Sequence, residues 1–226
     1  RRREEDELRR IHELRFSQAL PTGGQVRVFL GEASDAAAAF KSLWQVGCPV
    51  YEVLTAEYVD ALASYLQRRV ELLKTRGAAP SIPTILELGA GEGRLSHELR
   101  KRLRSCTVSA VDARAEEALV ESGVAAGDVF QALRDSAPSI VLVSWMPIGD
   151  WTAAARKNSA VQEYILIGEG GPGLCGDPWA TWGYVRNTTG AGGWYAPVEE
   201  RPYFVEGFDR FDLRPPHCVL TPAGRT

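Results

Sequence analysis

The sequence predicts an α/β fold: a doubly wound, mostly parallel sheet with an N-terminal helical extension. Two observations carry this. From Thr84 to Ile167, short apolar segments alternate with amphipathic ones in the repeated order strand, turn, helix. Alternation at that spacing calls for parallel strands joined by right-handed crossovers. The second is Ile140–Ser144 (IVLVS), apolar until its last residue, as a strand covered on both faces must be.

Composition sets limits on function. The chain has 226 residues, 45% hydrophobic and 24% charged, which suits one domain with a modest extension and allows a real core. With 26 Lys+Arg against 29 Asp+Glu the net charge is −3. That balance excludes intrinsic disorder and a basic, electrostatically driven nucleic-acid binder. No apolar run approaches the roughly 20 residues that span a bilayer. Cys48, Cys106, Cys175 and Cys218 are widely spaced and form no C-x-x-C, against a zinc site or a disulfide-dense scaffold. A reduced, cytoplasmic compartment is the simplest expectation. The start, Arg1 to Glu7 (RRREEDE), has neither the apolar core of a signal peptide nor the acid-poor character of a transit peptide. The first residue is not Met, which leaves an organelle open should a leader have been removed.

The elements follow in order. Leu8, Ile11, Leu14 and Ala19 sit near helical spacing, so residues 1–20 read as a helix stopped by Pro21-Thr22-Gly23-Gly24. Val26, Val28 and Leu30 alternate, which predicts a short strand. Ser34-Asp35 can cap a helix carrying Phe40, Leu43 and Trp44, ended by Gly47-Cys48-Pro49. Thr55 is a plausible N-cap for a longer helix bearing Val59, Leu62, Leu66, Val70 and Leu73, with Gly77 as its C′ residue. These 80 residues form the predicted extension or lid, and 81–226 the main domain.

Within that domain Thr84–Leu88, Thr107–Val111, Val124–Ala126, Ile140–Ser144 and Tyr164–Ile167 are the expected strands. Arg94–Arg104, Ala115–Ser122, Val129–Arg134 and a segment from Trp151 to Arg156, capped by Asp150, are the expected helices. After Gly168 the regularity stops. Glu169 to Gly193 is rich in Gly, Pro and Trp, and a loop that long is usually functional or mobile. Phe204–Phe211 and His217–Leu220 are expected to pair as a hairpin closing the sheet.

Ligands in such sheets bind at the carboxyl ends of the strands. The first strand ends in Glu87-Leu88-Gly89-Ala90-Gly91-Glu92-Gly93-Arg94-Leu95-Ser96. Gly89 allows a sharp turn, Gly91 lets the backbone approach a ligand without a Cβ in the way, and Gly93 lets the helix start close to the strand. The run resembles motif I, E/D-x-G-x-G-x-G, of the class I S-adenosylmethionine-dependent methyltransferases. The rival is the dinucleotide-binding G-x-G-x-x-G, whose last glycine would fall on Arg94. An acid inside the strand end is also unhelpful to a pyrophosphate, so Glu87 favours a cationic ligand.

The resemblance spans about residues 82–168. It implies a seven-stranded, Rossmann-like sheet that binds S-adenosyl-L-methionine and releases S-adenosyl-L-homocysteine. Gly89, Ala90, Gly91 and Gly93 would curl around the amino-acid part of the cofactor, and Glu87 would bond its ammonium. Asp112, with Ala113 after it, would take the ribose hydroxyls. Asp128 and Val129 would meet the adenine. Each acid also has a plainer reading, as a helix cap or solvated turn residue. Ser144-Trp145-Met146-Pro147 falls where the family's motif IV faces the transferred methyl. It keeps a polar first residue but departs from D/N/S-P-P-Y/F/W, which weakens adenine or glutamine N-methylation. Ser144, Trp145 and Glu169 are the candidates for the reacting end, Ser144 also touching the cofactor. Trp145 could instead be core, and Glu169 an exposed loop acid.

Other features carry less. Tyr51-Glu52 fit a lid over the cofactor or a plain turn. Trp179, Trp182 and Tyr184 suggest a binding surface or simply pin their loop. His12, His97 and His217 have no ligand spacing. Arg94, Arg100, Lys101, Arg102 and Arg104 read as a solvated face, with a phosphate-bearing partner as the alternative. The expected activity is methyl transfer to a protein side chain or small-molecule nucleophile, with nucleic acid disfavoured by charge. The alternative is an inactive methyltransferase-like scaffold that docks partners through its N-terminal helix or the 169–193 loop.

Overall fold

The computed structural model describes residues 19–31, 52–114, 123–145, 149, 152–167, 184–186, 195–197, 203–210 and 213–222. The expected helices at 34–46 and 115–122 lie outside these, as do residues 1–18 of the helix expected at 1–20 (Ala19 and Leu20 are described and not helical) and Tyr51, Met146, Pro147, Asp150, Trp151, Glu169, Trp179 and Trp182. The chain packs as two compact units, Arg1–Tyr65 and Leu66–Thr226.

In the first unit, α1 spans Gly23–Gly31, where the alternation of Val26, Val28 and Leu30 predicted a strand. The reason is a capping box in Thr22-Gly23-Gly24-Gln25. The Gln25 N–H donates to Thr22 Oγ1 at 3.2 Å, and the Thr22 N–H donates to Gln25 Oε1 at 2.8 Å. On a strand Val26 and Val28 would share a face; here they are 7% and 48% exposed. Thr22 therefore caps the start of a helix.

Helix α2 (Ala56–Thr75) begins at the predicted cap, where the Tyr58 N–H donates to Thr55 Oγ1 at 3.2 Å. It ends at the predicted glycine, Gly77, with φ +63°. The Gly77 N–H reaches Lys74 O and the Ala78 N–H reaches Leu73 O, the paired bonds of a Schellman motif.

The second unit contains strands β1 (Thr84–Leu88), β2 (Thr107–Asp112), β3 (Val124–Ala126), β4 (Ile140–Ser144) and β5 (Glu163–Ile167), all parallel. Helices α3 (Arg94–Arg102), α4 (Val129–Ser136) and α5 (Thr152–Lys157) alternate with them. The long predicted loop contains a strand, β6 (Tyr184–Arg186), paired with β7 (Tyr195–Pro197). The closing hairpin forms from β8 (Tyr203–Arg210) and β9 (Leu213–Pro222), with β9 antiparallel to β5. The sheet order is β3-β2-β1-β4-β5-β9-β8, seven strands, a doubly wound, mostly parallel architecture as expected.

Leu86, Leu88, Val111, Val141, Val143 and Leu166 pack on one face with Leu133 of α4 and Ala155 of α5. Side chains alternate along a strand, so Glu87 projects to the opposite face, beneath α3. The C-terminal turns of α2 belong to this unit. Arg69 Nε bonds both carboxylate oxygens of Glu163 in β5, at 2.9 and 3.0 Å, and Lys74 donates to Ser105 O. Glu163 is 2% exposed and Arg69 half-buried, so the carboxylate of this pair is out of solvent.

Candidate functional site

The parallel register sets the predicted residues along one edge. Leu88 pairs with Val111 and Val143, Asp112 with Ala126, and Ser144 with Ile167. The loop after β1, the end of β2, the turn after β3 and the end of β4 therefore emerge side by side. Glu169, two residues past Ile167 at the end of β5, is not among the described residues.

The glycine loop adopts left-handed backbone at all three glycines, with φ of +67° at Gly89, +54° at Gly91 and +73° at Gly93. A non-glycine residue pays strain there. A Cβ on Gly91 would meet nothing within 4 Å, so conformation and not crowding requires glycine. The loop is tied to β2. The Ala90 N–H donates to Val111 O at 3.1 Å, and the Gly91 N–H donates to Asp112 Oδ2 at 2.8 Å. Asp112 Oδ1 accepts from the Arg114 N–H, also at 2.8 Å. An ionised carboxylate offers about four acceptor positions, so hydroxyl groups of a ligand can still be accommodated.

Glu87 is 2% exposed. Among the described residues its only side-chain hydrogen bond comes from the Ser96 hydroxyl, and the Ser96 main-chain N–H also reaches it. Gly93, the N-cap of α3, has no side chain, and Glu87 supplies the acceptor for that helix start from the neighbouring strand. Burial pushes the Glu87 carboxyl up to about 7; the bonds from Ser96 and the charge of Arg100 pull it down, and Asp112 adds a small upward push.

Asp128 takes the cap position foreseen as its plainer reading. Its Oδ1 accepts from the Phe130 N–H at 2.8 Å and the Gln131 N–H at 3.2 Å, starting α4, with Val129 half-buried behind it. Both bonds fall on one oxygen, which is compatible with a second partner. Ser144 and Trp145 are half-buried at the end of β4. Trp145 has φ +55°, and its N–H donates to Ile167 O at 2.8 Å. A bulky residue held in left-handed backbone is rare, and such strain concentrates at functional sites.

The basic run of α3 is not simply solvated. Arg100 Nε donates to Val108 O and Nη2 to Gly123 O, bracing β2 and the start of β3. Lys101 and Arg102 each hold Glu98 at 2.6 Å. A cavity of about 510 Å³ lies beside His97, Arg100, Ser109 and Ala125 and includes none of the predicted site residues. Ser96, buried and bonded to Glu87, is the residue at this edge that sequence reasoning does not single out. The available signal was a small polar residue at a position of α3 that the helix buries, one residue after Leu95 and three before Leu99.

A scan against protein-family models and a search of curated proteins find no match. Solved structures do resemble the chain. A provisionally assigned caffeoyl-CoA O-methyltransferase from Staphylococcus aureus is 8% identical, with 88% of this chain and 98% of that one covered and a TM-score of 0.44. A TehB-like SAM-dependent methyltransferase from Corynebacterium glutamicum is 16% identical, covering 82% and 95%, with a TM-score of 0.37. A release-factor-specific protein-(glutamine-N5) methyltransferase from Alicyclobacillus acidocaldarius is 14% identical, covering 72% and 92%, at 0.36. Of three further solved structures the chain spans only 57%, 48% and 51%. These likenesses are remote, and the functional reading rests on the site's own residues.

Proposed function

We propose that the chain binds S-adenosyl-L-methionine at this strand edge and transfers its methyl group to a protein side chain or small-molecule nucleophile. The observation that carries this is Glu87: a buried carboxylate, two residues before a left-handed glycine loop, with no cation bonded to it among the described residues. Burying such a group is costly unless a partner of opposite charge arrives, and a ligand ammonium fits that need.

The remaining residues suit the same ligand. Asp112 already orients the glycine loop and would accept ribose hydroxyls. Asp128 and Val129 would border the adenine. Ser144 and Trp145, at the end of the central strand pair, would shape the acceptor side, with Glu169 as a binding group or base. Bound there, S-adenosylmethionine would supply a methyl carbon made electrophilic by its sulfonium, taken in line by the acceptor's lone pair as S-adenosylhomocysteine leaves. The protein's part is holding and desolvating the pair, which needs no dedicated base.

The test is transfer of label from methyl-labelled S-adenosylmethionine into a whole-cell extract. Label in protein or small molecules, lost in Gly91→Arg, is the expected result. Label in nucleic acid would refute the acceptor class, and none in any fraction would refute the activity.

A further inference from the structure

Glu87 lies on the face of β1 opposite the main apolar cluster, and its register partners in the flanking strands, Ala110 and Leu142, carry no charge. The groups that bear on its ionisation come from two other places: Ser96 and Arg100 on α3, and Asp112 at the end of β2. Ser96 is 0% exposed and sits within hydrogen-bond contact of the carboxylate through both its hydroxyl and its main-chain N–H. Arg100 is turned to the carbonyls of Val108 and Gly123, so it acts on Glu87 only through space. The hydroxyl is thus the one side-chain donor that a substitution can remove without breaking the helix start.

We infer that Ser96 is a positioning residue that keeps Glu87 oriented and ionisable, so that the site takes up a cationic amino-acid ligand at neutral pH. This rests on the function proposed above and adds a residue and a pH dependence to it. A hydrogen bond to an ionised acceptor is stronger than one to its neutral form, so the hydroxyl favours the carboxylate. Below the Glu87 midpoint the carboxyl is neutral and holds an ammonium weakly; above it the ion pair forms. Removing the hydroxyl moves that midpoint upward. The main-chain N–H remains, and α3 keeps its acceptor.

Two measurements test this on the full chain. The Glu87 carboxyl is titrated by carbon-13 NMR in the ligand-free protein, and S-adenosylhomocysteine affinity is measured by calorimetry from pH 5.5 to 8. In the wild type, affinity rises through about pH 7. In Ser96→Ala both the carboxyl midpoint and the rise in affinity move up by about one unit. Affinity at pH 6.5 then falls about tenfold and recovers towards pH 8. Ser96→Thr restores both curves. An unmoved carboxyl midpoint, or an affinity loss equal at every pH, would overturn the positioning role while leaving the proposed function in place. A wild type that binds no S-adenosylhomocysteine at any pH would overturn the function itself.

Discussion

Glu87 and Gly91 make their demands in different ways, and substitutions can separate them. Gly91→Ala adds a Cβ into open space but forces a φ of +54° on a residue that resists it. The expected cost is about 1–2 kcal/mol of stability, with the fold intact and S-adenosylhomocysteine affinity reduced. Thermal melts beside calorimetry read both. Glu87→Gln should have the opposite effect on stability. The folded carboxyl lies near 7 against an ordinary 4.5, so the native state binds the extra proton between those values. Stability is full below about 4.5 and falls as pH rises to about 7, by an amount on the order of 3 kcal/mol. Glu87→Gln removes that loss while keeping an acceptor for Ser96. It should melt higher than wild type at pH 8, converge with it by pH 5, and bind no ligand. Parallel melting curves across pH would contradict this. Glu87 and Asp112 were legible because acids at strand ends stand out against apolar runs. Ser96 was not, because its meaning lies in a carboxylate nine positions earlier, brought near only when α3 folds back over β1.

Helix α2 shows which local signals travel well. Its cap at Thr55 and its Schellman end at Gly77 need only neighbouring residues, and both are where the sequence places them. Thr55→Ala should therefore destabilise the chain by about 1 kcal/mol in denaturant unfolding. Helix α1 shows the reverse. Three alternating apolar residues mimic a strand there, and the reciprocal bonds between Thr22 and Gln25 decide the element. The pair between Arg69 and Glu163 was invisible in sequence, being a contact between elements 94 residues apart. Arg69→Met leaves Glu163 buried without its partner and should cost about 3 kcal/mol, read as a lower denaturant midpoint. Arg69→Met with Glu163→Leu should recover most of that loss.

Across the molecule, the alternation of strands and helices from Thr84 onward is enough to place five parallel strands, the resemblance carried by the glycine loop implies seven strands, and the strand order comes from the structure. The strand at Tyr184–Arg186 was hidden because its flanks are Gly-rich and carry no alternation. Among the described residues no helix is long and apolar enough to cross a membrane. The proposed acceptor class, a protein side chain or a small molecule, draws on the net charge of −3, and the proposal leaves the choice of acceptor to residues outside the glycine-loop segment. The central claim is that the edge built from Glu87, the glycine loop and Asp112 holds S-adenosylmethionine and its product. Calorimetric titration with S-adenosylhomocysteine and then with NAD, on wild type and Asp112→Ala, tests it most directly. Binding of S-adenosylhomocysteine to the wild type alone, with no heat from NAD, is the predicted result. Binding of NAD, or S-adenosylhomocysteine affinity unchanged by Asp112→Ala, would contradict it.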